Sequence, residues 1–376
     1  DAVFTDKTLS NYLKHSFDNY RLLEHSIGEV KQAKNVISLG FGDDGYERYT
    51  TSNMLGVERE IQDNVGKFKR SSFEVIDEKK VVTAIGNYET ITGKKLTEEQ
   101  NNAVMHIIGN ERISCIVGRA GTGKSFSLAS AKAIWDSNGN TVYGIAVSGI
   151  ATSGLSKDAN INSRTVASFL LSADGGYLKL DNKSIVVMDE AGMTDSISMQ
   201  KVTSVVEKSG AKLVLVGDPA QLQPVGPGAS FRAILEKTGF AEIQTVYRQK
   251  EDWQRQATVD FSQANTGAAI QSYYNNNCVQ LMATNDIAMQ TLANDWQSLR
   301  NETGKDISKF LVVAHRNVDV RYLNELLRQI RVNNKEIADG YEVTNIVAGK
   351  ARETKIALND RIIFLKNDKA LGVSNG

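Results

Sequence analysis

The feature that most constrains the fold is a glycine-rich loop between a short apolar run and a helical stretch. Residues 118–125 read GRAGTGKS, the apolar run is 113–117, and the helical stretch is 124–137. Glycines let backbone N–H groups wrap around phosphate oxygens, and the positive end of the dipole of the following helix attracts the same anion. The pattern G-x-x-x-x-G-K-[ST] in this context predicts a phosphate loop. The alternative is a glycine turn that matches by chance.

Further short apolar runs at 142–147, 185–188 and 213–216 alternate with helical segments, notably one at 196–208. Short buried strands that alternate with helices predict a parallel sheet covered on both faces. We therefore predict an α/β fold, with a P-loop NTPase sheet domain at 96–245.

The flanking regions give weaker patterns. Residues 1–95 predict a small accessory domain of winged-helix type, with a strand at 36–39 and an amphipathic helix at 52–68. Residues 246–376 predict a second, partial α/β domain. Its expected elements are a strand at 309–314, a helix at 318–332 and the start of a small β module at 361–365.

Composition bounds the class of protein. The 44 basic and 44 acidic residues cancel, so a basic nucleic-acid footprint would have to be local. Cys115 and Cys278 lie in unrelated segments, which argues against a disulfide framework or a zinc site and favours a reducing compartment. No apolar run approaches membrane-spanning length. We expect a soluble, cytoplasmic bacterial protein without membrane insertion, and the ends at Asp1 and Gly376 suggest a fragment.

The loop and an acidic pair predict the nucleotide chemistry. Lys124 would reach the β- and γ-phosphates of ATP, and Ser125 would hold Mg²⁺. Asp189 and Glu190 follow the run 185–188, where the first carboxylate would lie by the metal and the second would polarise the attacking water. The alternative is a pair that only supplies negative charge to a helix start. The predicted nucleotide contacts are Gln100, Gly118, Gly121, Thr122, Gly123, Lys124, Ser125 and Phe126.

Three side chains each have two interpretations. Gln100 either forms a capping box with Thr97 or recognises the adenine edge. Gln221, within GDPAQLQP at 217–224, either contacts the γ-phosphate and a neighbouring domain or belongs to a proline-stiffened turn. Arg248, within YRQ at 247–249, either neutralises charge on the transferred phosphoryl group or is a surface arginine.

Six motifs in order resemble superfamily 1 helicases of the RecD-like branch. They are LTEEQ (96–100), GRAGTGKS (118–125), IAVSGIATSGL (145–155), VMDEA (187–191), GDPAQLQP (217–224) and YRQ (247–249). VVAHRNVDV (312–320), NDRIIFLKND (359–368) and LGVSNG (371–376) are similar to TraA-type conjugative relaxase–helicases. The family's later helicase motifs and its relaxase end do not occur in this sequence, which again suggests a fragment.

The resemblance implies two RecA-like domains, the second partial and ending at the start of an SH3-like insertion. It assigns adenine to Gln100, the metal to Asp189, base catalysis to Glu190, γ-phosphate sensing to Gln221 and an arginine finger to Arg248. Single-stranded DNA would contact Ser148, Thr165 and Ser168, while Phe169 either stacks on a base or packs.

The implied function is the ATP-dependent DNA helicase or translocase motor of a conjugative relaxase, with single-stranded DNA and relaxosome or secretion proteins as partners. Three alternatives stay open: a RecD-like DNA repair helicase, a P-loop ATPase that acts only as a switch, and a non-enzymatic DNA-binding remnant. We expect the chain alone to bind ATP weakly and to unwind little DNA.

Overall fold

The computed structural model describes residues 2–14, 16–17, 19–119, 121–222, 224, 226–245, 247, 249–304, 306–347, 350–364, 370–371 and 373. They form two compact units, Asp1–Arg255 and Gln256–Asn375, and each is described by itself.

The first unit holds eight strands and ten helices within its described residues, and an eleventh helix crosses its end. The strands are β1 (Val36–Phe41), β2 (Glu47–Thr51), β3 (Ile113–Gly118), β4 (Thr141–Ala146), β5 (Ser163–Thr165), β6 (Ser184–Met188), β7 (Lys212–Gly217) and β8 (Ala241–Ile243). The helices are α1 (Asp6–Leu13), α2 (Tyr20–Gln32), α3 (Ser52–Lys69), α4 (Glu78–Thr92), α5 (Glu98–Ile108), α6 (Lys124–Ser137), α7 (Gly149–Ala159), α8 (Val166–Asp174), α9 (Ser196–Ser209), α10 (Ser230–Thr238) and α11 (Asp252–Ser262).

Six of these strands form one sheet in the order β5-β4-β6-β7-β3-β8. Every neighbouring pair is parallel. The predicted α/β fold with a parallel sheet is therefore confirmed. The predicted strands coincide with β3, β4, β6 and β7, whereas the three-residue strands β5 and β8 carry no apolar run that would have predicted them.

Every residue of β3, β6 and β7 is buried, because helices cover both faces of the sheet. Buried side chains of α4, α5, α6 and α7 form the core on one face. Those of α3, α8, α9 and α10 form the core on the other. This double cover explains why the central strands are apolar on both sides.

The region that the sequence assigns to an accessory domain contributes two helices to these cores. Ile61, Val65 and Phe68 of α3 have no exposed surface and pack beside β3 and β7. Val81 and Ala84 of α4 belong to the opposite core. The rest of this region comprises α1, α2 and the antiparallel β1–β2 hairpin, and its winged-helix type stays a prediction.

The described part of the second unit contains three helices and one hairpin beyond α11. They are α12 (Thr266–Asn275), α13 (Asn285–Glu302), α14 (Asn317–Asn333), β9 (Tyr341–Val347) and β10 (Lys350–Ile356), and the two strands pair antiparallel. The helix predicted at 318–332 is confirmed by α14. No helix within the described ranges is both long and apolar enough to cross a membrane.

The strand predicted at 309–314 in the second unit is wrong. Ile307–Lys309 is a 3₁₀ turn, and residues 310–314, all of them described, have no regular secondary structure. Leu311 and Val313 are 85% and 75% exposed. The apolar side chains that alternate in this segment therefore cover no core. Residues 361–364, the described part of the predicted start of a β module, have no regular secondary structure, and the β module itself stays a prediction. The assignment of this unit to a partial RecA-like domain stays a prediction.

Lys212, the first residue of β7, is fully buried at the amino end of the strand. Its ammonium donates to the Gly109 carbonyl at 2.6 Å and lies 5.7 Å from the Phe73 ring centroid. Burial lowers the pKa of Lys212 to about 7, because an ammonium loses its hydration there.

We predict that stability rises with pH above neutrality because of Lys212. Between about pH 7 and 10 the unfolded chain keeps a proton that the folded chain releases, so the free energy of unfolding increases by up to ~1.4 kcal/mol per pH unit. Urea unfolding at about pH 7 and 8.5 measures this gain, and Lys212→Met should remove it. The comparison stops at about pH 8.5 because of the buried Cys115 thiol, whose pKa is raised to about 12. At higher pH this thiol lowers the free energy of unfolding as the pH rises. An equal pH dependence in both proteins would contradict the assignment.

Candidate nucleotide site

The predicted motifs meet at one edge of the sheet. Parallel strands end at a common edge, and in open α/β sheets ligands bind there. The phosphate loop follows β3, the Asp-Glu pair follows β6 and the segment 217–224 begins at the end of β7. Because β7 lies between β3 and β6, these three motifs are neighbours.

The backbone of the loop requires glycine at several positions. Gly121 and Gly123 both have φ of +84°, a region that side chains with a Cβ atom disfavour. A Cβ on Gly118 would lie 2.9 Å from Thr122 Oγ1. The loop therefore has the tightly wound backbone that the glycine pattern predicts.

The loop is held by its own polar side chains. Thr122, fully buried, donates its hydroxyl to the Arg119 carbonyl at 2.9 Å. Lys124 donates its ammonium to the Gly118 carbonyl at 2.5 Å and to the Arg119 carbonyl at 3.1 Å. The ammonium thus lies within the loop, where a phosphate oxygen could replace a carbonyl as its acceptor.

Helix α6 begins at Lys124, after Gly123 as N-cap, so Ser125 and Phe126 occupy its first turn. Backbone N–H groups at a helix start favour an anion. The Phe126 ring lies 5.3 Å from the Tyr88 ring of α4, an aromatic contact that anchors this turn.

The acidic pair has a constrained backbone. The Asp189 N–H donates to the Ile145 carbonyl at the end of β4, at 2.9 Å. The Glu190 N–H donates to Asp189 Oδ1 at 2.9 Å. Glu190 has φ of +53°, and a left-handed backbone at a non-glycine residue costs about 1–3 kcal/mol and clusters at functional sites.

Charge is concentrated around this pair. Burial raises the pKa of Asp189, and the Lys124 ammonium opposes that rise. Burial and, to a lesser degree, the charge of Asp189 raise the pKa of Glu190. The Lys124 ammonium lowers it, and the charge of Asp218 adds a small further rise. The half-buried pair thus interacts with one ammonium and, at Glu190, with a further carboxylate, a balance that a divalent cation would improve.

The donor set fits magnesium. The carboxylate of Asp189 and the hydroxyl of Ser125 are hard oxygen ligands of the kind that Mg²⁺ takes in sites it shares with phosphates. A carboxylate with a raised pKa, such as that of Glu190, holds a proton more readily than an ordinary carboxylate.

Gln100 has the predicted local structure and one further contact. Thr97 and Gln100 form a capping box at the start of α5, so that interpretation is confirmed. Gln100, 5% exposed, also donates its Nε2 to the Thr122 carbonyl of the loop at 3.3 Å. Recognition of adenine by Gln100 stays a prediction.

The segment after β7 is a tight turn. The Gln221 N–H donates to the Asp218 carbonyl at 3.3 Å, and Asp218 Oδ1 accepts from the Ala220 N–H at 2.9 Å. The turn interpretation describes this backbone correctly, and the γ-phosphate role of Gln221 stays a prediction. Arg248 lies outside the described residues, although the Tyr247 N–H before it donates to the Gly121 carbonyl at 2.8 Å.

The predicted DNA contacts follow β4 and β5, farther along the same edge. Ser148 is the N-cap of α7, and Thr165 is the N-cap of α8. The Thr165 hydroxyl accepts from the Ser168 N–H at 3.3 Å, and Ser168 is exposed. Phe169 is fully buried in the core below, so its packing interpretation is confirmed.

The structure thus gathers Gln100, the loop, Lys124, Asp189 and Glu190 at one edge. Asp218 and Glu99 lie within the motifs at 217–224 and 96–100, but the motif patterns predict no role for either residue. Only their contacts in the folded chain reveal a role for these two residues. Glu99 contacts Gln244 and Thr245, which lie far away in the sequence.

Comparison with known proteins supports the resemblance to TraA-type proteins. The chain is 36% identical over 382 residues to the conjugal transfer protein TraA of Agrobacterium fabrum. It is 34% identical over 384 residues to a probable conjugal transfer protein TraA of Sinorhizobium fredii. Both alignments cover 100% of this chain and 34% of the relative, so the chain spans about a third of the length of these relatives.

A shorter similarity covers less than half of the chain. The chain is 29% identical over 160 residues to the ATP-dependent RecD2 DNA helicase of Deinococcus radiodurans, covering 42% of this chain and 22% of that protein. Residues 95–284 match the AAA domain family. This match extends over half of the chain and includes the phosphate loop and the Asp-Glu pair, and we conclude that the chain belongs to the AAA domain family.

Proposed function

We propose that this chain is the ATP-hydrolysing part of a DNA helicase motor that moves along single-stranded DNA during conjugative transfer. The observation that carries the proposal is that the phosphate loop with Lys124 and the strand end with Asp189 and Glu190 lie at one edge of the sheet, where the Lys124 ammonium opposes the rise in the pKa of both carboxyls. Nucleotide binding follows from the P-loop fold. The relatives named TraA and RecD2 support the helicase class and the conjugative setting.

In the proposed mechanism the loop binds the triphosphate of ATP through its backbone N–H groups. The Lys124 ammonium exchanges its carbonyl partners for the β- and γ-phosphate oxygens. Ser125 and Asp189 would hold Mg²⁺, which when bound would neutralise charge on those oxygens. Glu190 orients the attacking water and accepts its proton.

The edge that continues past the nucleotide site would contact DNA. Ser148, Thr165 and Ser168 follow neighbouring strands there, and their hydroxyl and N–H groups can bind backbone phosphates without reading bases. Such binding does not depend on sequence and weakens with salt. Gln221 would sense the γ-phosphate, and Arg248 would neutralise charge developing on the transferred group.

Hydrolysis would be coupled to movement through a change of conformation in the motor. ATP binding would favour one conformation and hydrolysis the other, so that DNA is gripped alternately. In the whole protein, relaxosome and secretion proteins would be further partners.

We predict that Lys124→Ala weakens binding of a fluorescent ATP analogue by at least about 100-fold, because the ammonium is the cation of the phosphate site. Lys132→Ala is the matched control, since Lys132 lies on the same helix and pairs with Asp136. Equal affinities in both variants would refute the loop assignment.

We predict that Glu190→Gln keeps nucleotide affinity within about twofold but slows hydrolysis by roughly 100-fold or more, because an amide accepts no proton from water. Hydrolysis is measured with excess protein over ATP, so that slow turnover is resolved. Glu236→Gln, an exposed position on α10, serves as control. Unchanged hydrolysis would remove Glu190 as the base.

We predict that an oligo-thymidine strand stimulates ATP turnover at least severalfold, and that raising the salt from about 50 to 200 mM removes most of this stimulation. A duplex of equal length should stimulate less. Turnover that is insensitive to DNA would instead favour a P-loop ATPase that acts only as a switch.

A further inference from the structure

Helix α5 holds the chain segment that leaves the sheet after β8. The Glu99 carboxylate accepts from the Gln244 N–H at 2.9 Å and from the Thr245 N–H at 3.0 Å. It also accepts from the Thr245 hydroxyl at 3.0 Å. These bonds, the Thr245 N–H bond foremost, lower the pKa of Glu99, so an anionic carboxylate holds this segment at neutral pH.

The held segment reaches the phosphate loop two residues later. The Tyr247 N–H donates to the Gly121 carbonyl at 2.8 Å. From the same turn of α5, Gln100 Nε2 donates to the Thr122 carbonyl at 3.3 Å. Two successive carbonyls of the loop are therefore bound by donors from outside the loop.

These two bonds determine which way the loop's N–H groups face. In a trans peptide the carbonyl and the next residue's N–H lie in one plane and point in opposite directions, and the described chain contains no cis peptide. Fixing the Gly121 carbonyl fixes the Thr122 N–H, and fixing the Thr122 carbonyl fixes the Gly123 N–H. Such N–H groups are the donors with which a phosphate loop binds its anion.

We propose that Glu99 is a positioning residue, which holds Gln244 and Thr245 so that the Tyr247 N–H orients the phosphate loop for nucleotide. This role rests on the proposed function, since it concerns affinity for ATP. Glu99 acts through the backbone of the exit segment and contacts no nucleotide itself. Loss of its carboxylate frees the Gln244 and Thr245 N–H groups and loosens the bond from Tyr247 to Gly121.

Glu98 provides a matched control. It is exposed and shares the first turn of α5 with Glu99, so both carboxylates interact alike with the helix dipole. Glu98→Ala removes that charge but none of the contacts with segment 244–247. Glu99→Gln is the conservative variant, because its amide oxygen can take the place of Oε2, which accepts both N–H bonds, but it carries no negative charge.

The test combines two measurements on the full 376-residue chain. Hydrogen exchange without nucleotide reports the Tyr247, Thr245 and Gln244 amides, and titration with a fluorescent ATP analogue reports affinity. In Glu99→Ala we expect faster exchange at all three amides and roughly tenfold weaker binding. Glu98→Ala should change neither by more than about twofold, and Glu99→Gln should lie between.

Unchanged Tyr247 exchange in Glu99→Ala would overturn the proposal, whatever the affinity. Faster exchange with an affinity equal to that of Glu98→Ala would also overturn it, because the segment would then not orient the loop. If the unaltered chain binds no nucleotide, the proposed function fails, while Tyr247 exchange still decides whether Glu99 holds the segment against the loop.

Discussion

The pairing of β7 between β3 and β6 is the constraint on which the rest of the site depends. β3 ends in the phosphate loop, β6 is followed directly by Asp189, and β7 is hydrogen-bonded to both. Because the strands are parallel and buried on both faces, a shift in register would move apolar side chains and site residues together. The helices that cover the sheet, including α3 and α4, therefore stabilise the relative positions of the loop and the carboxylates.

Around this frame the site is organised by backbone hydrogen bonds as much as by side chains. Glu190 has a left-handed backbone, and its N–H is bound by the neighbouring Asp189. The loop carbonyls of Gly121 and Thr122 accept from Tyr247 and Gln100. These contacts fix the positions of charged groups, and binding and electrostatic catalysis exploit such preorganisation.

Local patterns predicted most of the sheet and the nucleotide motifs. The central strands were predictable because a strand buried on both faces must be apolar throughout, and the loop because its glycines have a backbone that other residues disfavour. The same logic was wrong at 309–314, where Leu311 and Val313 alternate like strand residues but remain exposed. The contacts of Glu99 with residues 145 and 146 positions away follow from the fold, which no local pattern contains.

The most direct test of the central claim is a crystal structure of this chain with Mg²⁺ and a non-hydrolysable ATP analogue. The account predicts β- and γ-phosphates within hydrogen-bonding distance of the loop N–H groups and the Lys124 ammonium. It also predicts the metal between Ser125 and Asp189. A nucleotide bound elsewhere, or phosphates that contact neither Lys124 nor the loop, would contradict it.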